Sequence, residues 1–331
     1  MHLKVKLAGA IAAAAIPAAA KASLYLGDSY ATGTGAYATG SFNSSAQYAV
    51  ITSGSPGYSG TGGGGTPSVQ WQVQTGGLVS SVVGSTSSGS GKLTYLPTGA
   101  FPGNKSAEKN LNAIPNSPTN TYYESFLVNE GTWSGTTASV APRSILAGFG
   151  NANVPTAPGT TSASTGLYVG FAQDGTAASN TAGGSLVIRY DADASNDMAD
   201  AILLNGTTTT VQNNTYLVVA EVDVPTSGLA TVDWWLNPTD PTSDATLTSS
   251  ASSSGSFQGN IFSSDSSPGG SFARLSYISQ GWGNSGSSAY FDEPRLSSDL
   301  AGLGFTPVPE PASLALLSLG AFGLLGRRRR A

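Results

Sequence analysis

The 331-residue sequence contains no cysteine and a single histidine, His2. Without cysteine there is no disulfide framework, no thiolate nucleophile and no thiolate metal site. His2 lies in an N-terminal segment that reads as removable, so the rest of the chain offers no imidazole. That excludes Ser-His-Asp and Cys-His catalysis and His-ligated zinc in their usual forms. Charge is also scarce, at 10% of residues. A chain this poor in charge and rich in Gly, Ser and Thr favours short strands joined by many turns over long amphipathic helices.

Positive charge is scarcest of all. Seven of the 14 Lys and Arg (Lys4, Lys6, Lys21 and Arg327 to Arg330) and one of the 19 acidic residues (Glu310) sit in the two ends, which leaves seven basic and 18 acidic residues, a net charge of −11. A body this acidic does not bind nucleic acid through phosphates and avoids anionic membranes.

What the sequence has in quantity is 43 Gly, 13 Tyr, 11 Phe and 5 Trp. The aromatic content is too high for a wholly disordered chain. Mean hydropathy is near zero (−0.02), so the chain is not broadly membrane-embedded. With the ends removed, enough residues remain for one large β domain.

Both ends carry processing signals. Lys4 and Lys6 form a basic n-region, and an apolar run from Leu7 to Ala20 follows that is too short to span a bilayer. Ala20-Lys21-Ala22 fits the small-x-small pattern of a cleavage site, so residues 1–22 read as a signal peptide and the mature start falls near Ser23. A retained N-terminal anchor is the alternative. At the other end Pro309-Glu310-Pro311 leads into an apolar run from Ala312 to Gly326, closed by Arg327, Arg328, Arg329 and Arg330. Such a segment is a short hydrophobic helix stopped by four cationic residues that stay on the cytoplasmic side. A plain C-terminal anchor is the competing reading.

Between the ends, residues 23–305 read as one all-β domain. Glycine punctuates residues 23–120, with a run at Gly62 to Gly65 and a Ser/Gly stretch from Ser85 to Gly91; Gln70 to Val73, Leu78 to Val83 and Lys92 to Leu96 are strand candidates there. From Thr121 the strand pattern is clear: Tyr122 to Val128, Gly166 to Phe171, Ser185 to Tyr190, Tyr216 to Val224, Ala230 to Leu236, Ala273 to Ile278 and Ala289 to Leu296. Seven or more strands with turn-rich links predict two packed antiparallel sheets.

Two resemblances follow from these residues. The Pro-Glu-Pro triplet, hydrophobic segment and arginine cluster of residues 306–331 resemble a PEP-CTERM sorting tail. The resemblance implies export, recognition by an exosortase-type processing enzyme after signal peptidase, a transient inner-membrane stage, and release to the cell envelope or extracellular matrix of bacteria that make exopolysaccharide. The series Tyr122 to Val128, Gly166 to Phe171, Tyr216 to Asp223, Asp233-Trp234-Trp235-Leu236-Asn237-Pro238 and Tyr290-Phe291-Asp292-Glu293-Pro294-Arg295-Leu296 resembles concanavalin A-like, or laminin-G-like, jelly-roll domains. It implies an antiparallel two-sheet sandwich, flanked by an N-terminal signal helix and a C-terminal hydrophobic helix.

Glu221-Val222-Asp223 invites comparison with jelly-roll glucanases, which carry Glu-x-Asp-x-x-Glu or Glu-x-Asp-x-Glu on one strand. Here the positions that would hold the second glutamate are Pro225 and Thr226, so no catalytic residue is assigned and the expectation is a non-enzyme. Strand alternation puts Glu221 and Asp223 on one face, with Asp233 and Trp235 facing the same way on the next strand. Glu221, Asp223, Asp233 and Trp235 are therefore the candidate ligand site, for a sugar or for Ca²⁺. A plain solvated sheet face is the bland alternative. Asp191, Asp193, Ser195 and Asp197 have the oxygen-rich alternation of a Ca²⁺ loop. Without the glycine and the closing glutamate of an EF-hand, a polar hairpin turn is the preferred reading, with an irregular Ca²⁺ site as alternative. No other cofactor is expected. Asp292 and Glu293 read as salt-bridge partners for Arg295 rather than as a ligand pair. The expected function is an exported, non-catalytic surface or matrix protein and a candidate binder of exopolysaccharide; a glycan hydrolase or lyase, and a purely structural matrix component, are the alternatives.

Overall fold

The computed structural model describes residues 24–27, 40–41, 50–51, 58–59, 71–80, 82, 91–95, 105–114, 121–131, 143–150, 166–173, 184–191, 198–206, 211–225, 228–261, 272–280 and 288–305. The residues expected at the signal cleavage site, Ala20 and Ala22, and the tail residues Pro309, Glu310, Pro311 and Arg327 to Arg330 lie outside the described residues, as do Asp193, Ser195 and Asp197. Among the described residues no helix is long and apolar enough to cross a membrane.

The described strands are β1 (Leu24–Gly27), β2 (Gly40–Ser41), β3 (Val50–Ile51), β4 (Tyr58–Ser59), β5 (Trp71–Thr75), β6 (Gly91–Tyr95), β7 (Lys105–Ile114), β8 (Thr121–Glu130), β9 (Arg143–Gly150), β10 (Gly166–Gln173), β11 (Ser185–Asp191), β12 (Met198–Leu204), β13 (Thr215–Asp223), β14 (Ala230–Leu236), β15 (Ser253–Gly259), β16 (Phe272–Gln280) and β17 (Ala289–Ser297). They form two antiparallel sheets. The first runs β15-β14-β13-β8-β17-β6-β5-β2, with β1 alongside the second half of β17 and β3 alongside β1; the other runs β12-β11-β10-β9-β16-β7-β4. Neighbours that are distant in sequence, such as β8 with β17 and β9 with β16, are the crossovers of a jelly-roll sandwich.

Alternation sets the core. On β13 Tyr216, Val218, Ala220 and Val222 point between the sheets, joined by Val232 and Trp234 of β14, Phe126 and Val128 of β8, and Leu167, Val169 and Phe171 of β10. The outer face of the first sheet is also partly covered. Leu217, Val219, Trp235, Tyr123 and Leu127 pack there against Leu247 of a short helix, α1 (Asp244–Ser250), and against Leu300 and Leu303 of a 3₁₀ turn. Burial on both faces explains the unbroken apolar run Leu217-Val218-Val219-Ala220. Asn237 ends β14 at φ 48°, a left-handed conformation that asparagine tolerates; its Oδ1 accepts from Leu217 N at 2.8 Å and its N–H donates to Leu217 O at 2.8 Å.

Most expected strands are present within one to three residues at each end. Leu78 to Val83 is not one: Leu78, Val79, Ser80 and Val82 lie in a non-strand segment. It crosses the outer face, where Leu78 N–H donates to Asp292 Oδ2 at 2.8 Å and Val82 joins the apolar cluster beneath α1. Its hydrophobicity serves that cluster rather than a ladder. Strands β7, β9 and β15 and helix α1 are not among the elements expected from the sequence. β15 mixes glycine and serine with a single large apolar residue, Phe257, and α1 is held by a capping box in which Ser243 and Thr246 satisfy each other's backbone N–H groups.

The Glu293–Arg295 ion pair forms as expected, at 2.7 Å. It sits in a bulge of β17, where Glu293 adopts φ 49°, and Arg295 also donates to the Leu303 carbonyl, which ties the 3₁₀ turn to the sheet.

Candidate functional site

Strands β13 and β14 pair so that Glu221 lies directly opposite Asp233 and Asp223 opposite Thr231. On the other side β8 places Tyr123 next to Glu221. Glu221, Asp233 and Trp235 line a groove of about 670 Å³ on the outer face of the first sheet, completed by Asp244, Ala245 and Thr248 of α1 and by Ser254, Gly255 and Ser256 of β15. Such a volume is in the range of small-ligand sites. Three of the four residues expected to form the site are therefore together. Asp223 is at the strand end, exposed, and accepts from Thr121 Oγ1 at 2.5 Å; it does not line the groove.

Trp235 departs from expectation. Its side chain is 4% exposed and packs in the apolar cluster with Leu247, and its Nε1–H donates to Thr248 Oγ1 at 3.0 Å. It anchors α1, and its burial leaves little ring surface for stacking on a sugar. Burial beneath α1 thus argues against the stacking role expected for Trp235.

The residues that sequence reasoning missed come mainly from α1 and β15. Asp244 follows the Ser243 cap, where a carboxylate suits the first turn of a helix. Only the fold brings it to Glu221. Tyr123 Oη donates to Asp244 Oδ1 at 3.3 Å and also bonds Glu221. Partial burial, then the neighbouring carboxylates, raise the Tyr123 hydroxyl well above its ordinary value. Glu221 is pushed up to about 7, chiefly by desolvation and then by Asp244, Asp223 and Asp233, with the Tyr123 hydrogen bond opposing. Near neutral pH this carboxyl is present in both protonation states, so it can accept a hydrogen bond or donate one.

Among the described residues, the groove lining contains no Lys or Arg. Its polar groups are carboxylates and hydroxyls, a set that accepts hydrogen bonds from ligand hydroxyls and repels anions. Among the described residues, no group of three or more His, Cys, Asp or Glu converges to hold a metal ion. Asp191 ends β11 opposite Met198, so the segment expected as a Ca²⁺ loop or hairpin turn joins β11 and β12.

No curated protein matches the chain in sequence. Solved structures with a similar sandwich include an endo-β-1,4-glucuronan lyase from the fungus Trichoderma reesei, at 10% identity over 71% of this chain and 90% of the lyase, TM-score 0.41. An alginate lyase from Chlorella virus aligns at 10% identity over 69% of this chain and 92% of its own, TM-score 0.40. A Lotus tetragonolobus seed lectin aligns at 9% identity over 69% and 92%, TM-score 0.36. At these values the likeness bears on neither ligand nor reaction. Residues 307–330 match the PEP-CTERM protein-sorting motif, which marks the chain as an exported protein sorted to the cell envelope through an exosortase-type processing enzyme.

Proposed function

We propose that this is a non-catalytic surface or matrix protein whose outer-sheet groove binds a neutral, hydroxyl-rich glycan. The observation behind the reading is the groove lining: Glu221, Asp233 and Asp244 with the hydroxyls of Thr248, Ser254 and Ser256, and, among the described residues, no cationic side chain. Carboxylates and hydroxyls accept from sugar hydroxyls, while an acidic polysaccharide meets like charge. The signal peptide delivers the chain to the inner membrane, the tail holds it there transiently, and processing releases the sandwich to the envelope or matrix.

A second reading has its own support. Glu221 and Asp233 are cross-strand partners. Such pairs have Cβ atoms about 4.5–5.5 Å apart. Retaining glycosidases hold their two carboxyl groups about 5–5.5 Å apart. With Glu221 raised to about 7, a hydrolase would use it as the acid and Asp233 as the nucleophile.

The test is binding of the processed protein to a panel of neutral and acidic polysaccharides, with and without Ca²⁺, while released reducing sugar is followed. Saturable binding to neutral glycans, weakened about tenfold or more by Asp233→Asn and without sugar release, supports the first reading. Sugar release abolished by Glu221→Gln establishes the second. Binding confined to acidic polysaccharides refutes the groove chemistry, and no binding leaves a purely structural matrix role. A Ca²⁺ requirement that Asp191→Ala abolishes and Asp233→Ala spares would point to the segment between β11 and β12.

A further inference from the structure

Among the described residues, the edge strands of the sandwich are not alike. In the first sheet they are β15, β2 and the two-residue β3, and in the second they are β12 and β4. An edge strand presents unpaired N–H and C=O groups, and proteins blunt such edges by shortness, charge, proline or a bulge. β2 and β4 are two residues long. β12 faces a break in register between Leu186 and Val187 and carries Asp200. β15 has none of these protections. Its sequence is Ser-Ser-Gly-Ser-Phe-Gln-Gly, with no charge and no proline, and all seven residues pair with β14 in unbroken register from Ser253 opposite Leu236 to Gly259 opposite Ala230.

We infer that β15 is a dimerisation edge, at which two copies of the chain join their ten-stranded sheets through antiparallel β15–β15 pairing. The strand suits a second copy better than an unrelated strand. Antiparallel pairing about its midpoint, Ser256, is self-complementary under a two-fold axis, so the contact closes and leaves no free β15 edge. In that register Ser254 meets the partner's Gln258, and Phe257 lies across from the partner's Gly255. Phe257 is only partly buried within one copy, where it stacks on Tyr190 at a centroid distance of 3.9 Å. The acidic groove does not oppose this arrangement. Asp233, on β14, and the partner's Asp233 would be three strand spacings apart, about 14 Å. That is beyond the screening length of about 8 Å at physiological salt. Because Ser254, Gly255 and Ser256 also line the groove, pairing places the two grooves side by side across the axis.

This inference does not depend on what the groove binds. A seven-residue strand contact spans about 23 Å and is smaller than a standard interface, so micromolar association is expected. The experiment is light-scattering chromatography of the processed protein, together with two double variants at exposed positions: Ser254→Lys with Gln258→Lys, and Ser254→Glu with Gln258→Glu. Their β14 neighbours Trp235 and Thr231 carry no charge. The wild type should dimerise with rising concentration, and amides of residues 254–258 should gain hydrogen-exchange protection in step. Each double variant alone should be a folded monomer by circular dichroism. A one-to-one mixture of the lysine and glutamate variants should restore the dimer. A monomeric wild type throughout, dimers that persist in either variant alone, or a mixture that stays monomeric would each overturn the inference.

Discussion

Glu124 stands on the core face of β8, between Tyr122 and Phe126, and pairs in register with Ala220 of β13 and Leu296 of β17. It is 1% exposed, and neither carboxylate oxygen has a hydrogen-bond partner. Burial alone pushes its ionisation well above the ordinary 4.5. Such a group folds only in its neutral form. In the unfolded chain it ionises above about pH 4.5, so folding at higher pH must take up a proton. Below pH 4.5 both states are protonated and nothing is lost. Above it, stability falls by about 1.4 kcal/mol for each pH unit until the folded value is reached. Glu124→Gln removes the titration and keeps the shape. Urea denaturation of both proteins from pH 5 upward should show the wild type losing stability relative to the variant as a slope of at most about 1.4 kcal/mol per pH unit, and not as a constant offset. The other raised carboxyls, Glu130 at about 8 and Glu221 at about 7, titrate in both proteins and cancel in the difference. A difference that is flat with pH would refute the reasoning, because it would mean that the carboxyl is ionised and compensated within the fold.

Three further predictions rest on separate contacts. Arg189, fully buried on the outer face of the second sheet, bonds both oxygens of Asp200 at 2.8 and 2.9 Å and Ser144 Oγ at 2.9 Å, so Asp200→Ala should destabilise by about 3–5 kcal/mol in thermal unfolding, with much of the loss recovered when Arg189→Met is added. Trp235→Ala should cost about 3–5 kcal/mol and raise hydrogen exchange across α1, whereas unchanged exchange there would mean that Leu247 alone holds the helix. The Glu221 carboxyl carbon should titrate by NMR with a midpoint near 7 and move down in Asp244→Asn, whereas a midpoint near the unperturbed 4.5 would show the groove to be well solvated.

The sequence alone determined the class of fold and the traffic of the chain. Both are written in local patterns: period-two alternation in Tyr216 to Val224 and Ala230 to Leu236, and the Pro-Glu-Pro, apolar and arginine order of residues 309–330. It also put Asp233 on the same face as Glu221 and Asp223 and across from one or the other, and the register of the β13–β14 pair decided for Glu221. Tertiary structure decided the rest. Trp235 reads from its alternation as an exposed partner of Asp233, yet α1 covers it, and the seven-residue helix is too short to leave an apolar period. Asp244 and Ser256 became groove residues because α1 and β15 lie beside β14, a placement that no local signal carries. Glu124 was not singled out from the sequence, although its alternation with Tyr122 and Phe126 already put it on the core face. Alternation gives only direction, and whether a carboxyl finds a partner there depends on what the opposite sheet presents.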